Sequence, residues 1–529
     1  MRRPRLFTCI LSLCLAVSAA GQGRVLDFRY AKEANPQLDF GNAAYLATLA
    51  GEGFSEAVGT FIKENGAVIP LEGSSDSWQA GVGTEAFRRV SDRLVFSGKL
   101  SYSYFKGARM GGQILMHPSE NLLNFLEEDD STLGDKKREI YSLMGGLSYA
   151  LGDRLSAGLR VDYTAADQTK YKDPRFFNVL MDLSVTPGIM FQSSDVFSIG
   201  GNLIYRHSLE QLSGGVYGTM DRQYNVLVDQ GGFLGSREVF DGDIGYVSLS
   251  NTRPLASDQY GLSLQTVAGS HSRFYGQLTG LWNNGYFGSR TSTSVVFCEF
   301  RGPEARFEGL LTLPSGNGLH RLELSAGARF LSKYTNIYTY KAEAGMTTTV
   351  EYHGQNETLT RSDYEARLAY TLENGLGGYC PDWVLGFSAD AFLRDQSTVI
   401  YPDYRDHNFW NLALALSAER NFKHPSRCIS VAAQALFATG AGNAKIDGSY
   451  TTEGASKLRS FDNWLERQFE YDTAQRAGAE LSFTWTWLRS GRLAPYLKVS
   501  DRFLSLLSEP QYLGGRTRNV ACISLGCNF

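Results

Sequence analysis

Read backwards from Phe529, the last residues alternate: Cys527, Leu525, Ile523 and Ala521 are apolar, whereas Asn528, Gly526, Ser524, Cys522 and Val520 are mostly small or polar. A period of two belongs to a strand whose two faces meet different surroundings. The pattern returns along the chain. Leu155, Ala157, Leu159, Val161 and Tyr163 share one face, and Ser156, Gly158, Arg160, Asp162 and Thr164 the other. Leu322, Leu324, Ala326, Ala328 and Phe330 oppose Arg321, Glu323, Ser325, Gly327 and Arg329. Leu481, Phe483, Trp485 and Trp487 oppose Glu480, Ser482, Thr484 and Thr486. In a soluble sandwich the charged faces would meet solvent and the apolar faces one shared core. Here the strands repeat over roughly 470 residues without a domain break. The expectation is an all-β fold: a single closed transmembrane antiparallel β-barrel of about 16–20 strands, because lipid tolerates no unpaired edge.

The ends of the chain agree with this. An aromatic closing such a strand resembles the β-signal of Gram-negative outer-membrane barrels. Ala521, Ile523, Leu525, Cys527 and Phe529 are therefore the candidate assembly signal for the barrel insertion machinery. At the start, Arg2, Arg3 and Arg5 precede an apolar run from Leu6 to Val17 and then Ser18, Ala19, Ala20 and Gly21. This reads as a secretory signal peptide, too short to span a bilayer. Leu13 before Cys14 does not suit lipidation. The expected organisation is signal peptide 1–21, an N-terminal periplasmic or lumen segment 22–55, and an outer-membrane barrel 56–529. Within 22–55, residues 31–36 and 42–50 read as short helix and turn, either folded into the lumen or part of a disordered leader.

Composition narrows the alternatives. Aromatic residues make up 12% and Gly outnumbers Pro by 56 to 14, as alternating barrel strands and aromatic girdles require. No run of about 18 uncharged apolar residues follows the signal, which excludes helical spanning. The formal net charge is −4 with no basic cluster, which argues against nucleic acid as a partner. Of the seven cysteines, Cys9 and Cys14 leave with the signal. Cys298, Cys380, Cys428, Cys522 and Cys527 lack metal-ligand spacing and read as small hydrophobes. Cys522 and Cys527, five apart, fall on opposite faces of one strand, whereas Cys380 and Cys428 could approach each other at one rim.

The connections sort by length. Short ones are Gly152 to Arg154, Ser193 to Asp195, Pro314 to Gly318, Asn421 to Arg427 and Ser490 to Arg492. Long polar ones are Gly107 to Arg138, Ser208 to Asp243, Thr339 to Arg361 and Gly440 to Asp472. Counting strands back from a periplasmic Phe529 puts the short turns in the periplasm and the long loops outside, the parity of transmembrane barrels. Trp383, Trp410, Trp485 and Trp487 lie near strand ends, where interfacial girdles form.

Catalytic chemistry is scarce. The chain has no G-x-S-x-G, P-loop, H-E-x-x-H or dinucleotide fingerprint. Its seven His are dispersed, so neither metal nor cofactor is expected and an enzyme is not the reading. Acidic runs at Glu127 to Asp130 and Asp241 to Asp243 read as solvated external loops, with divalent cations or lipopolysaccharide as the alternative contact. The inward residues matter more as a set. Lys99, Arg160, Asp162, Arg206, Arg321, Glu323, Arg329, Glu365, Arg367 and Glu480 are the candidate lumen lining. Arg160, Arg206, Arg321, Arg329 and Arg367 outnumber the inward acids that can be assigned, which predicts a weak anion preference. The same charges could instead pair across a blocked lumen.

Lys172-Asp173-Pro174-Arg175, then Asn178, Asp182-Leu183, Pro187-Gly188 and the Gly98-Lys99-Leu100-Ser101-Tyr102 strand resemble a family of uncharacterised outer-membrane barrels in Gram-negative anaerobes. A shorter likeness, at Phe40-Gly41-Asn42-Ala43-Ala44, is to hydrophobic-substrate transport barrels. The family is a domain of unknown function, so the resemblance implies location and fold but no substrate. The functional expectation is a porin-like channel or transporter for a small solute. The alternative is a non-conducting barrel that binds or assembles a surface complex, with a surface lipoprotein or receptor as the candidate partner, beside outer-membrane lipid and lipopolysaccharide.

Overall fold

The computed structural model describes residues 27–116, 122–127, 130–218, 223–240, 253–291, 294–342, 348–451, 458–460, 462–488 and 493–529. The expected signal peptide, the turn Ser490 to Arg492 and the acidic run Asp241 to Asp243 lie outside these residues.

In chain order the strands are β1 (Gly53–Gly66), β2 (Asp76–Arg89), β3 (Leu94–Met110), β4 (Asn124–Glu127), β5 (Gly134–Ala150), β6 (Leu155–Lys170), β7 (Arg175–Ser194) and β8 (Phe197–Gly215). Then come β9 (Tyr224–Asp229), β10 (Leu234–Phe240), β11 (Arg253–Ala268), β12 (Arg273–Gly288), β13 (Val296–Ser315), β14 (Gly318–Lys341) and β15 (Thr349–Asn374). The last are β16 (Trp383–Ile400), β17 (Asp403–His424), β18 (Arg427–Ser449), β19 (Leu458–Ser460), β20 (Arg476–Trp487), β21 (Ala494–Leu506) and β22 (Thr517–Asn528). Two helices, α1 (Phe28–Glu33) and α2 (Asp462–Thr473), complete the set of labelled elements.

All but β4, β9, β10 and β19 form one 18-stranded antiparallel sheet, within the range that the alternation predicted. It closes where β1 meets β22, in register from Glu56 opposite Asn528 to Gly66 opposite Arg518. Ser55 and Phe529 extend the seam by exchanging backbone hydrogen bonds of 2.8 and 2.9 Å. Closure leaves no edge, which is the condition for crossing lipid with strands. The outer face is correspondingly apolar: Leu203 and Leu481 are each 64% exposed and Leu525 is 63% exposed. A closed antiparallel barrel with this exterior is an outer-membrane protein. No described helix is long and apolar enough to cross a membrane.

The Ser55–Phe529 end of the seam and the short turns 151–154, 195–196, 316–317 and 425–426 mark the periplasmic end. The long connections are at the other end, but the lengths differ from those expected. Residues 171–174 and 401–402 are short external turns. The segment Thr339 to Arg361 is mostly hairpin rather than loop, because β14 runs on to Lys341 and β15 begins at Thr349. Every residue from Glu351 to Glu357 on β15 is exposed. Beyond the membrane both strand faces meet water, so the period of two that reveals a strand in lipid disappears.

Candidate functional site

The interior is occupied at both ends by the chain itself. From the periplasmic side, residues 27–50 run into the barrel as α1 and two 3₁₀ turns, Pro36–Asp39 and Ala43–Thr48. Asp27 caps α1 by accepting the Arg29 N–H at 3.1 Å. Asn42 caps the second 3₁₀ turn through the Ala44 N–H at 3.0 Å, while its amide donates to the Ile189 carbonyl at 2.9 Å and to Gln265 Oε1 at 3.1 Å. Opposite strands grip the same segment. Ser148 and Ser156 donate to the Ala44 carbonyl at 3.0 and 2.9 Å, Arg89 to the Leu49 carbonyl at 2.6 Å, and Arg321 to the Glu33 carbonyl at 2.7 Å. Arg29 and Tyr30 bind Glu419 at 2.8 and 2.7 Å. The segment fits because the wall opposite it is glycine. A Cβ at Gly158 would stand 2.2 Å from the Ala44 nitrogen, and one at Gly188 would stand 2.2 Å from Asn42 Oδ1.

From the outside, three loops turn inward and pair with one another. Strands β19, β10, β9 and β4 make a second sheet, in that order. Its residues Phe125, Val226, Val228 and Phe240 pack with the wall residues Phe176, Leu212, Leu255, Phe287, Phe300 and Leu331 as one apolar cluster. Polar groups tie its rim to the strands. Gln168 and Asn178 each donate to the Ile114 carbonyl at 3.1 Å, and Glu210 accepts the Met116 N–H at 2.9 Å. Arg405 on β17 donates to the Gly232 carbonyl at 2.9 Å and reaches Asp462 of α2 at 3.2 Å. Glu127, expected on a solvated acidic loop, is instead fully buried in β4 and ion-paired with Lys170. The loops read as polar because their apolar content comes in short runs: Ile114-Leu115-Met116, Leu122-Leu123 and Val226-Leu227-Val228. Those runs were the available signal.

Between the two stoppers lies a cavity of about 500 Å³. Asp39 and Gly41 of the N-terminal segment contribute to it, and Arg160, Asp162, Arg206, Glu304, Arg306, Glu308 and Arg329 bring charge of both signs. Gln259, Gln277, Asn202, Thr186, Ser263 and Thr279 add uncharged donors and acceptors.

Strand register sets all ten proposed lining residues on the inner face. Only Arg160, Asp162, Arg206 and Arg329 reach the large cavity; Glu365 lines a smaller one of about 110 Å³. Each of the five arginines has an acid beside it. Arg160 meets Asp162 at 2.8 Å, Arg206 meets Asp182 at 2.6 Å, and Arg321 meets Glu373 at 2.5 Å. Arg329 meets Asp363 and Arg367 meets Asp390, at 2.9 and 2.7 Å. Lys99 lies 3.8 Å from Glu85, Arg306 binds Glu365 at 2.7 Å, and Arg502 binds Glu480 at 2.6 Å. Pairing does not remove the arginine excess everywhere, since Arg329, Arg361 and Arg394 all share Asp363. Most of the neutralising acids sit on adjacent strands, whose register one strand's sequence does not reveal. Among the described residues no His, Cys, Asp and Glu side chains converge as a metal-binding group.

The model of a family of unknown function, DUF6850, matches residues 43–529. The chain belongs to the DUF6850 family. The match begins inside the lumen segment, so the second 3₁₀ turn and its glycine seat fall within the family's span. No curated protein matches the DUF6850 chain. Solved barrels overlap it only loosely. The ferric preacinetobactin receptor BauA of Acinetobacter baumannii is 9% identical with a TM-score of 0.37, covering 91% of this chain and 80% of that one. The outer-membrane transporter YddB of Escherichia coli is 9% identical with a TM-score of 0.39, covering 90% and 81%. The DUF6850 fold assignment rests on its own strand register rather than on these overlaps.

Proposed function

We propose that this barrel is a stoppered transporter for a small hydrophilic solute and not a standing pore. The observation that supports this reading is the polar cavity held between two folded stoppers. Its lining offers guanidinium, carboxylate, amide and hydroxyl groups and no aromatic ring, which suits a polar cargo that exchanges water for hydrogen bonds. A solute crossing the wall has to pass both stoppers, and one of them has to release readily. The N-terminal segment is the candidate, being a single stretch of chain seated on glycine.

The second reading is a non-conducting barrel that serves a surface complex. It is favoured by the chain crossing both mouths and by the pairing of the inward arginines. Planar-bilayer recordings separate the two. The expected result is near silence for the full chain and stepwise conductance for a variant that lacks residues 27–50 and also carries Phe125→Ala in the external cap, with Gly158→Val in place of the deletion should that fail to insert. Steady conductance of the full chain would overturn the stopper. Silence of every correctly inserted variant would leave the assembly role.

A further inference from the structure

At the periplasmic rim, the turn between β15 and β16 is folded inward over the end of the β17–β18 hairpin. Lys423 holds it there by donating to the carbonyls of Gly375, Gly377 and Cys380 at 3.1, 3.0 and 3.0 Å, and its ammonium also pairs with Asp382 at 2.8 Å. Asn421 adds two bonds, from its side chain to the Pro381 carbonyl at 3.0 Å and from its backbone N–H to the Asp382 carbonyl at 2.9 Å. Tyr379 is buried in the same turn, and its hydroxyl accepts the Asn528 amide at 2.6 Å. The turn is thus fixed from three directions.

That fixing brings two thiols together. Cys380 in the turn and Cys428 at the start of β18 are both buried, in one small apolar cluster with Tyr379 and Ala494. Their sulfur atoms are 3.5 Å apart. The other described cysteines have no such neighbour: Cys298 sits under the external cap, and Cys522 and Cys527 face opposite sides of β22. Disulfides form and persist in the bacterial periplasm, where this rim lies.

We propose that Cys380 and Cys428 form a disulfide in the mature protein. Both S–H bonds break and one S–S bond forms, at about 2.05 Å. Two electrons and two protons pass to a thiol–disulfide oxidant, whose own disulfide is reduced to a dithiol. The bond joins residues 48 apart and staples the β15–β16 turn to β18. The position has a consequence for the stopper. The Tyr379 carbonyl accepts the Asp27 N–H at 3.2 Å, so the stapled turn is where the lumen segment enters the barrel. The disulfide fixes that anchor covalently while the rest of the segment is held by hydrogen bonds and packing.

The test is thiol mapping. Intact cells are treated with N-ethylmaleimide, then the protein is purified and denatured in excess maleimide without reductant and digested. The expected result is label on Cys298, Cys522 and Cys527, and a cross-linked peptide pair containing Cys380 and Cys428 that separates on reduction. In Cys380→Ser, Cys428 should become fully labelled while heat-modifiable gel mobility still reports an inserted barrel. Maleimide on both Cys380 and Cys428 of the unreduced wild type would overturn the proposal, as would either one cross-linked to a different cysteine.

Discussion

The two stoppers close the same lumen by different physics. The external cap is assembled from three loops distant in sequence, and its strength lies in an apolar core continuous with the upper wall. The periplasmic segment is one local stretch, held largely by wall side chains that donate to its carbonyls and by glycines that let it approach. Smaller apolar clusters support it, with Phe28, Leu38, Leu46 and Leu49 against Phe87 and Val95. Burial of apolar area is non-directional and tolerates small shifts, whereas a hydrogen-bonded seat is either engaged or lost. The comparison makes the segment the easier of the two to release and the cap the harder.

The largest expected effect falls on the cap. Phe125 is fully buried, its ring 5.3 Å from that of Phe287. Phe125→Ala should cost roughly 3–5 kcal/mol of cap packing. Intact cells carrying the variant should be cut by added protease within the three cap-forming loops, at sites where the wild type resists. Equal resistance would mean that the apolar core does not hold the cap.

The glycine seat should show the next largest effect. Gly158→Val introduces side-chain atoms where the backbone of Ala43 and Ala44 now lies, an overpacking that costs roughly 1–3 kcal/mol. Asn42→Ala leaves wall carbonyls without their donor, at roughly 1–3 kcal/mol. Both should raise labelling of a cysteine placed at Thr48 by a membrane-impermeant maleimide added to spheroplasts, while the external protease pattern stays unchanged. A changed external pattern would show that the two stoppers are coupled.

Much of this architecture is legible in the sequence, and the part that is not follows a rule. Alternation identifies inner and outer faces wherever lipid lies on one side, so Arg160, Arg321 and Glu480 can be placed from their own strands. It carries no information on what sits across the lumen. That Arg329 meets Asp363, or that Ser156 meets Ala44, depends on register and on a segment more than a hundred residues away. The cap is hidden for the same reason. Phe125 and Val228 lie in short runs among polar residues, and only the pairing of three loops makes them a core. Cys380 and Cys428 stand between these cases, since turn parity puts both at one rim but only the grip of Lys423 on the turn brings the thiols within reach.

The smallest expected effect is a pH dependence confined to the periplasmic stopper. Burial pushes the Glu33 carboxyl up to about 7, and neighbouring Glu373 and Asp27 act in the same direction against Arg29 and Arg321. The docked segment therefore holds this proton more tightly than the released one, whose carboxyl titrates near its ordinary value of 4.5. By linkage, docking is strongest below that ordinary value and weakens as pH rises towards and through about 7. Maleimide labelling at the Thr48 position should consequently rise a few-fold between acidic and mildly alkaline buffer, and Glu33→Gln, which cannot ionise, should flatten the dependence. The cap should show no matching change in external proteolysis if Glu33 is the group responsible. A labelling rate that climbs with pH equally in Glu33→Gln would place the titrating group elsewhere in the segment, with Asp27, also raised by burial, as the next residue to replace.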